Sequence, residues 1–552
     1  MKYYNRSFLG KRLLRRCAPR NDGFFPSLCA ITFLLFFMAL IFPKYSHAAE
    51  NRWEFAGWYG GGAYPALVCD PKVEGRIYLS SDVAGVWRSD DRGEHWRFIN
   101  KGLKNLNIQA LTVDPSDTDI LYARAKDKEF FYSVDAGQSW RLLADSKGFN
   151  EWRLPLKAAP LSLDGKAEKN VHGDEAHNPT RAWMKGFGKP KVLAQDPFNP
   201  DIFYLTDDWG VWRSDDKGAT WNEKINGAPN SSGSDLVIDE NGNLFAATMD
   251  DGLLFSGDDG KNYEALFPSK SSYNNLGGHV WRVTSDPSSR HIVATYTSWR
   301  SRENKVLVSE DGGKNFEIIT EGVPLEYPSE NTMWGRGYPR ALAADPSDPN
   351  KIYMGIDGDD GGGLFISLNG GKAWKRSKNQ PGSLRVYNGL AVDPTDPKRI
   401  VWGACGENGG VYISEDKGGT WRNALPVLGW TFDVTISKTG VIYAAGGDGK
   451  PAVYVSDDHG KSWTRILTSD TGDAFEALHT GGENGESVLA GLVRWNENAG
   501  GKIFYSKDRG KNWTDITDGL PESTGPAAIA VNPKDKKIYI LLYGGSVYKR
   551  EL

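Results

Sequence analysis

Cysteine is scarce in this sequence. Only four occur among 552 residues, and Cys17 and Cys29 fall in an N-terminal segment, which leaves Cys69 and Cys405 for the body of the chain. Two cysteines cannot cross-link a chain of this length, so the fold must rest on its own hydrophobic core. Nothing in the sequence supports a Cys69–Cys405 disulfide, and we expect two buried free thiols.

An excess of positive charge is missing outside the N-terminal segment. Residues 1–49 hold eight Lys or Arg against one Asp, whereas the remainder carries a net charge of −11. Binding to nucleic acid needs a basic surface, so this composition excludes nucleic acid as a partner. The sequence also lacks a phosphate-binding glycine loop, a nucleophile elbow and a cysteine-based zinc pattern. We therefore expect no cofactor and no metal.

The N-terminal segment has the pattern of an export signal. Basic residues precede an apolar run from Phe24 to Phe42, and the small residues of Ser46–Ala49 follow it. This order predicts a secretory signal peptide over residues 1–49, with an uncleaved signal anchor as the alternative. The body is therefore expected in the periplasm or outside the cell, and contact with a membrane only through this segment.

Nine copies of one motif organise the rest of the chain. The motif is Ser-x-Asp-x-Gly-x-x-aromatic, and each copy follows a short apolar run such as GVYIS or KIFYS. Ser and Asp side chains bond nearby backbone N–H groups, and Gly adopts a positive φ, so each copy predicts a hairpin turn with a structural role. The residues at the Asp position are Asp91, Asp135, Asp216, Asp258, Asp311, Asn369, Asp416, Asp458 and Asp508.

Each motif belongs to a predicted unit of four antiparallel strands. An Asp-Pro turn separates the first two strands, as in ALAADPSDPNKIY, and the motif separates the last two. Such units are typical of propeller blades, so residues 50–552 are predicted to form an all-β propeller. The segment after Gly525 supplies three strands and Trp53 lies in the fourth, which predicts a closing blade made from both ends. One ten-bladed ring follows, with two smaller tandem propellers as the alternative, and residues 141–182 form an inserted loop.

These motifs resemble the Asp-box, or BNR, repeats of sialidases, sortilin-type receptors, photosystem II assembly factors and the xyloglucanases of glycoside hydrolase family 74. The stretch WYGGGAYPALVCDPKVEGRIYLSSDVAGVW is similar to the opening of family 74, with Asp82-Val83-Ala84-Gly85 in place of Asp-Val-Gly-Gly. A ten-bladed ring would be similar to the sortilin receptors instead. Their cysteine-rich module is missing here.

The family 74 resemblance implies that Asp82 is a catalytic base, with an acid from a second propeller whose motif is not found in this sequence. Aligning the second strands of the blades places Asp208 and Asp357 at the position of Asp82, so all three are candidate catalytic carboxylates. A repeated Asp is also a common turn residue, and the sequence leaves open whether the protein is an enzyme at all.

Tryptophan and arginine residues gather in the irregular loops, which share the face opposite the motif turns. Exposed aromatic rings stack on sugars while charged groups bond hydroxyl or carboxylate groups, so this face predicts a polysaccharide-binding surface. Packing between blades is the alternative role for each ring. The candidates are Trp183, Trp209, Trp281, Trp299, Trp334, Trp430, Arg181, Arg282, Arg300 and Arg340.

The inserted loop carries His172, Asp174, Glu175 and His177, whose polar surroundings favour a solvated lid over a metal site. Two functions stay open at this point. One is an exported carbohydrate-active propeller that either binds a polysaccharide or binds and hydrolyses it. The other is a non-catalytic scaffold that binds a protein partner, because propellers serve both roles.

Overall fold

All regular elements of the described chain are β-strands. The computed structural model describes residues 52–126, 129–144, 191–207, 210–268, 278–286, 288, 290–298, 303–324, 337–358, 361–495 and 499–552. Within these residues no helix is long and apolar enough to cross a membrane. The predicted signal segment and most of the predicted insertion lie outside them. The strands form ten antiparallel sheets of four strands each, as the repeats predict.

Three of the sheets form a short row. Row sheet 1 contains β2 (Leu67–Cys69), β3 (Ile77–Ser80), β4 (Val86–Ser89) and β5 (Arg97–Phe98). Row sheet 2 contains β6 (Ile108–Val113), β7 (Leu121–Ala125), β8 (Phe130–Ser133) and β9 (Arg141–Ala144). Row sheet 3 contains β10 (Val192–Gln195), β11 (Phe203–Thr206), β12 (Val211–Ser214) and β13 (Asn222–Glu223). Because β9 begins at Arg141, the predicted insertion starts too early by four residues.

Row sheet 1 lies in the middle of the row. One of its faces packs against row sheet 2 through a core that includes Tyr78, Leu111 and Phe131. Its other face packs against row sheet 3 through a core that includes Trp87, Tyr204 and Val211.

The other seven sheets follow one another along the chain. Ring sheet 1 contains β14 (Gly233–Ile238), β15 (Leu244–Thr248), β16 (Leu253–Ser256) and β17 (Glu264–Phe267). Ring sheet 2 contains β18 (Gly278–Ser285), β19 (Ile292–Ser298), β20 (Asn304–Ser309) and β21 (Glu317–Ile319). Ring sheet 3 contains β22 (Pro339–Asp345), β23 (Asp348–Ile356), β24 (Gly363–Ser367) and β25 (Lys375–Arg376). Ring sheet 4 contains β26 (Val386–Val392), β27 (Ile400–Ala404), β28 (Gly410–Ser414) and β29 (Arg422–Leu425).

The remaining three sheets complete this series. Ring sheet 5 contains β30 (Thr431–Ile436), β31 (Ile442–Asp448), β32 (Lys450–Ser456) and β33 (Thr464–Thr468). Ring sheet 6 contains β34 (Ala474–Gly481), β35 (Ser487–Val493), β36 (Lys502–Ser506) and β37 (Thr514–Asp515). Ring sheet 7 contains β38 (Pro526–Val531), β39 (Ile538–Leu542) and β40 (Ser546–Arg550), together with β1 (Glu54–Phe55).

The seven sheets close into a ring. Each first strand lies against the first strand of the next sheet, and β38 of ring sheet 7 lies against β14 of ring sheet 1. The prediction of a closing blade built from both ends is confirmed, because Phe55 of β1 pairs with Tyr548 of β40. The prediction of a single ten-bladed ring is wrong. The chain forms a seven-bladed propeller and a separate row of three blades, which is nearer to the tandem alternative.

The nine motifs form hairpin turns with one hydrogen-bond pattern. In the ninth, Ser506 Oγ donates to Asp508 Oδ1 (2.8 Å), while the backbone N–H groups of Gly510 and Asn512 donate to Ser506 Oγ and Asp508 Oδ1. The residue before the Gly also has a positive φ, as Arg509 does at 60°. The sequence reading assigned that conformation to the Gly alone.

In several copies of the motif the terminal aromatic residue joins neighbouring sheets, whereas Trp221 and Trp374 bond to backbone of their own turns. The indole N–H of Trp513 in ring sheet 6 donates to the carbonyl oxygen of Ile466 in ring sheet 5 (3.0 Å). Trp53, which stands at the same position in ring sheet 7, donates to the carbonyl oxygen of Ile516 in ring sheet 6 (2.7 Å). These contacts explain why an aromatic residue recurs there: its ring fills the space between blades and its polar edge bonds to backbone.

Candidate functional site

The chain crosses between the ring and the row at a seam formed by two segments. The first, residues 56–66, connects β1 to β2, and the second, residues 224–232, connects β13 to β14. They form a parallel bridge between Gly60 and Pro229, and the N–H of Asn230 donates to the carbonyl oxygen of Gly60 (3.0 Å). The first segment contains the glycine-rich stretch that resembles the family 74 opening.

Asp82 reaches this seam from the row. Its side chain is half-buried in the turn between β3 and β4 and accepts a hydrogen bond from the N–H of Ala63 (3.1 Å). Its own N–H donates to the carbonyl oxygen of Ala63 (3.2 Å). Next to it, the Ser81 hydroxyl donates to the side-chain oxygen of Asn230, whose amide group donates to Ala63 (3.1 Å). The carboxylate is therefore held at a fixed place in the seam.

A carboxylate of the ring, Asp251, approaches the same stretch. Asp250 and Asp251 occupy the turn between β15 and β16, where Asp250 is half-buried and Asp251 is fully buried. The indole N–H of Trp58 donates to Asp251 Oδ2 (3.0 Å). A Cβ atom at Gly61 would lie 2.8 Å from that oxygen, and Gly61 has a φ of +80°. A side chain at this position would displace the carboxylate, which explains the glycine there.

Tyr64 lies among these acidic groups. Its hydroxyl group donates to the carbonyl oxygen of Ala228 (2.9 Å). Burial raises the pKa of Tyr64 well above its ordinary value, and nearby carboxylates raise it further, including those of Asp251 and Asp82. The seam is thus acidic on both sides, which suits chemistry that needs two carboxyl groups. No group of three or more metal-ligating side chains occurs in the described part of the chain.

The channel of the ring brings together three of the predicted binding residues, but buries them. Trp281 is 3% exposed and packs with Tyr338, Tyr543 and the side chains of neighbouring sheets in an apolar plug. Arg340 is also 3% exposed and lies over the rings of Trp281 (4.8 Å) and Tyr387 (4.3 Å). Arg282 donates through Nε to the carbonyl oxygen of Arg340 (2.8 Å). These side chains offer no open surface to a polysaccharide, contrary to the predicted role.

A repeated β-bulge places residues in this channel. The pairing between the first and second strands shifts by one or more residues near the start of every ring sheet. A bulge re-aims the unpaired residue, and in the ring these residues turn towards the centre. The single unpaired residues are Ser234, Trp281, Arg340, Phe432, Glu476 and Ala527, and ring sheet 4 leaves out three, Tyr387–Gly389.

Two acids of the channel were not predicted from the sequence, Glu476, which is fully buried, and Asp433, which is half-buried. Glu476 accepts hydrogen bonds from Trp495 Nε1 (2.5 Å) and the Tyr543 hydroxyl (3.3 Å). Burial raises the pKa of Glu476 to about 7, against the lowering effect of those donors. Burial likewise raises the pKa of Asp433 to about 7. The signal was present, because each is the one charged residue of an otherwise apolar strand, AFEALHTG and TFDVTI.

Asp357 and Trp430 lie on the ring at sheets 3 to 5. Asp357 is buried and ion-paired with Arg385 (2.7 Å), so its carboxylate already has a cationic partner. The Arg385 guanidinium lies 5.8 Å from the ring of Trp430, which is 39% exposed and stacks on Phe432. Trp430 is therefore the predicted aromatic platform that the described chain leaves open to solvent.

The structure does not bring Asp82 and Asp357, two of the three candidate catalytic carboxylates, together. Asp82 lies in the row, and Asp357 lies in the turn after β23 on the ring. The remaining predicted site residues lie outside the described residues, and their roles stay predictions. They are Asp208, Trp183, Trp209, Trp299, Trp334, Arg181 and Arg300.

Comparison with known proteins agrees with the repeats. A BNR-Asp box repeat family matches residues 503–516, and a BNR/Asp-box repeat family matches residues 454–465. The chain is a BNR/Asp-box repeat protein, and it resembles the xyloglucanases of glycoside hydrolase family 74 at distant identity.

Two curated fungal proteins illustrate this resemblance. The chain is 23% identical over 374 residues to a probable oligoxyloglucan-reducing end-specific xyloglucanase of Neosartorya fischeri, covering 60% of the chain and 42% of that protein. It is 22% identical over 404 residues to an oligoxyloglucan-reducing end-specific xyloglucanase of Emericella nidulans, covering 65% and 45%. The chain thus spans less than half the length of these relatives.

A solved structure supports the fold. The crystal structure of an ancestral family 74 enzyme superposes with a TM-score of 0.60 at 13% identity, covering 91% of this chain and 99% of that one. Family 74 enzymes consist of two tandem seven-bladed propellers. The ring described above has the same number of blades as one of them.

Proposed function

We propose that this protein is exported and acts on a polysaccharide, which it binds across the loop face and hydrolyses at the seam between row and ring. The observation that carries the proposal is the seam itself. Asp82 from the row bonds to Ala63 and Asp251 from the ring lies against Gly61 of one glycine-rich stretch, and the half-buried Asp250 precedes Asp251 in the same turn. A glycosidase needs one acid and one base or nucleophile on opposite sides of the bond it breaks.

Asp82 suits the role of the base. Its position matches the base of the family 74 motif, and the Ala63 N–H that donates to its carboxylate holds that carboxylate in place. Asp250, which lies on the ring, is assigned the role of the acid, because family 74 enzymes take their acid from a second propeller. The relatives named above act on xyloglucan, so xyloglucan and its oligosaccharides are the first substrates to test.

Sugar binding is proposed for the surface around Trp430. The exposed ring offers a stacking face, while the adjacent Arg385–Asp357 pair offers groups that bond hydroxyls. In this arrangement Asp357 positions Arg385 and does not act as an acid or base.

A polysaccharide panel headed by xyloglucan tests catalysis, with retention on the polymer and released reducing ends both measured. We expect Asp82→Asn and Asp250→Asn each to lower the release of reducing ends by roughly a hundredfold or more while retention persists. Asp119→Asn is the matched control, because Asp119 is an exposed carboxylate of an Asp-Pro turn on the opposite face. Unchanged release by the Asp82 variant would remove this residue from the mechanism.

The stacking platform has its own test. In the Asp82→Asn background, which leaves the polymer intact, Trp430→Ala should weaken binding by about 1–3 kcal/mol, the cost of losing one buried aromatic face. Titration calorimetry measures the change. Leu368→Ala provides the control, since Leu368 is exposed in the motif turn of ring sheet 3. Equal affinities of the two variants would show that Trp430 does not touch the sugar.

The alternative function, a scaffold for a protein partner, is favoured by one observation. Exposed apolar side chains gather on row sheet 2, at Tyr122, Val134, Leu142 and Leu143. Two results together would support the scaffold. The protein would retain no polysaccharide of the panel, and a protein that co-purifies with the native chain would be lost from a Leu142→Ser variant.

A further inference from the structure

Two buried guanidinium groups in the channel of the ring have N–H donors without a partner. They are Nε and Nη2 of Arg340 and Nη2 of Arg282, and none of the described residues accepts a hydrogen bond from them. Both side chains line the same small cavity, together with Ser234, Trp281, Tyr387 and Tyr543. Buried charged donors of this kind are rare without a ligand, an ion or water.

Neither guanidinium can turn away from the cavity. Arg340 is held between the rings of Trp281 and Tyr387. Arg282 is held by its Nε–H bond to the carbonyl oxygen of Arg340 and by its ion pair with Asp235 (3.1 Å). The free donors therefore keep their direction, and the two side chains form a site that is already built.

The charges around the cavity leave room for one negative charge. Asp235 pairs with Arg282 and Asp357 pairs with Arg385, so two ionised carboxylates face the three guanidinium groups of Arg282, Arg340 and Arg385. Asp357 also interacts with Arg340, and Glu476 is the further acid next to that guanidinium. Since burial raises the pKa of Glu476, this carboxyl is largely protonated below neutral pH. The other titratable groups that face the channel are Asp433, His279, Tyr387 and Tyr543. Burial raises the pKa of Asp433 to about 7, lowers the pKa of His279 to about 4 and raises the pKa values of the two tyrosines. These four groups therefore carry little charge in weak acid.

We propose that this cavity binds one small monovalent anion, of the size of chloride, between Arg340 and Arg282. The cavity has room for roughly one water-sized particle, so a phosphate group or the carboxylate of a sugar is too large. Aromatic walls suit a weakly hydrated ion such as chloride or bromide. This site is separate from the seam and from Trp430, and it stands whether or not the protein acts on a polysaccharide.

Thermal unfolding of the whole protein tests the proposal at about pH 6, where Glu476 is mostly neutral. Sodium chloride and sodium bromide are compared with sodium gluconate, whose anion is too large, at equal ionic strength. We expect the melting temperature to rise and then saturate with chloride or bromide, and not with gluconate. Superimposable curves in chloride and gluconate would overturn the proposal.

Variants assign the effect to the channel. Arg340→Met should abolish the chloride dependence, whereas Arg97→Met should keep it, because Arg97 is an exposed arginine in row sheet 1. If Arg340→Met does not fold, anomalous scattering from crystals of the native protein in bromide decides the question. A peak between the two guanidinium groups supports the site, and peaks confined to the surface, an adventitious ion only, overturn it.

Discussion

The aspartates of the nine motif turns differ from ordinary surface carboxylates in the number of hydrogen bonds that each accepts. Asp508 accepts from the Ser506 hydroxyl, from the Asn512 side chain and from the Asn512 backbone. The Asn512 side chain and backbone contribute most to lowering the pKa of Asp508, to about 2. Asp311 has the same surroundings in ring sheet 2, and its pKa is lowered to about 2 by Asn315.

These bonds make stability depend on pH in acid. The folded pKa of Asp508 lies below its unfolded value, so its contribution is present above about pH 4 and is lost as pH falls towards about 2. Asp508→Asn should therefore flatten part of the decline in unfolding free energy over this range. Urea unfolding measured at a series of pH values checks the result.

The chain supplies its own control for this prediction. The sixth motif carries Asn369, which accepts the same bonds from Ser367 and the Ala373 N–H without an ionisable group. Asn369→Asp should add an acid-sensitive contribution of the sign that Asp508→Asn removes. If both variants keep the native pH profile, the turns do not control acid stability.

Single residues of the channel show what the sequence could and could not predict. A charged residue near the start of an apolar strand, as in Arg282 of GHVWRVTS and Glu476 of AFEALHTG, can be read from the sequence. The place of such a side chain in the fold cannot be read from the sequence, because it depends on a bulge that shifts the strand by one position and turns side chains towards the channel. Trp281 was therefore predicted to be open to a sugar, although it is buried.

At the scale of the element, the aromatic residue of several motifs acts between sheets. The burial of Trp53 and its bond to the carbonyl oxygen of Ile516 fix β1 against ring sheet 6. The sequence could predict this contact, because Trp53 stands where the motif aromatic would stand in a complete blade.

Removing this contact should weaken ring closure. Trp53→Ala is expected to lower the free energy of unfolding by about 3–5 kcal/mol, the range for deleting a large buried aromatic side chain. Chemical denaturation measures the loss. Trp430→Ala should change stability by much less, because that ring is partly exposed. Similar losses in both variants would mean that Trp53 has no special role in closure.

The number of strands and sheets followed from the repeats, but their arrangement did not. Each motif looks alike whether its sheet belongs to a ring of seven or to a row of three. The division depends on long-range packing of β14 against β38, and on the seam between Gly60 and Pro229. Such contacts join segments far apart in the chain, and no local pattern in the sequence marks them.

At the scale of the whole molecule, the channel where the seven sheets meet gives the unfolding free energy a second dependence on pH. Its sign is opposite to that caused by the motif aspartates. The folded pKa of Glu476 is raised to about 7, whereas the unfolded chain ionises this group near its ordinary value of about 4.5. The unfolding free energy should therefore fall as pH rises between these values. The ring is expected to be most stable in weak acid, between the losses caused by Glu476 and by the motif aspartates.

Glu476→Gln tests this balance. The amide keeps the acceptor for Trp495 and has no charge to bury, so stability should fall less between about pH 4.5 and pH 7 than in the native protein, with Asp433 causing the remaining decline. Melting temperatures across this range check it. Glu483→Gln, at an exposed position after β34, is the control. A decline as steep as that of the native protein would contradict the prediction and assign the effect to other groups, with Asp433 the next to replace.

The shared closing sheet also has a consequence for biosynthesis. The Trp53 indole donates to the carbonyl oxygen of Ile516, which lies 463 residues further along the chain. At a synthesis rate of about 5–20 residues per second, Ile516 leaves the ribosome tens of seconds after Trp53. During that interval β1 lacks β40, the strand with which it pairs, and the ring cannot close. A nascent chain that stays open for so long is compatible with the proposed export as an extended polypeptide, and the closing sheet forms only after β40 has been made.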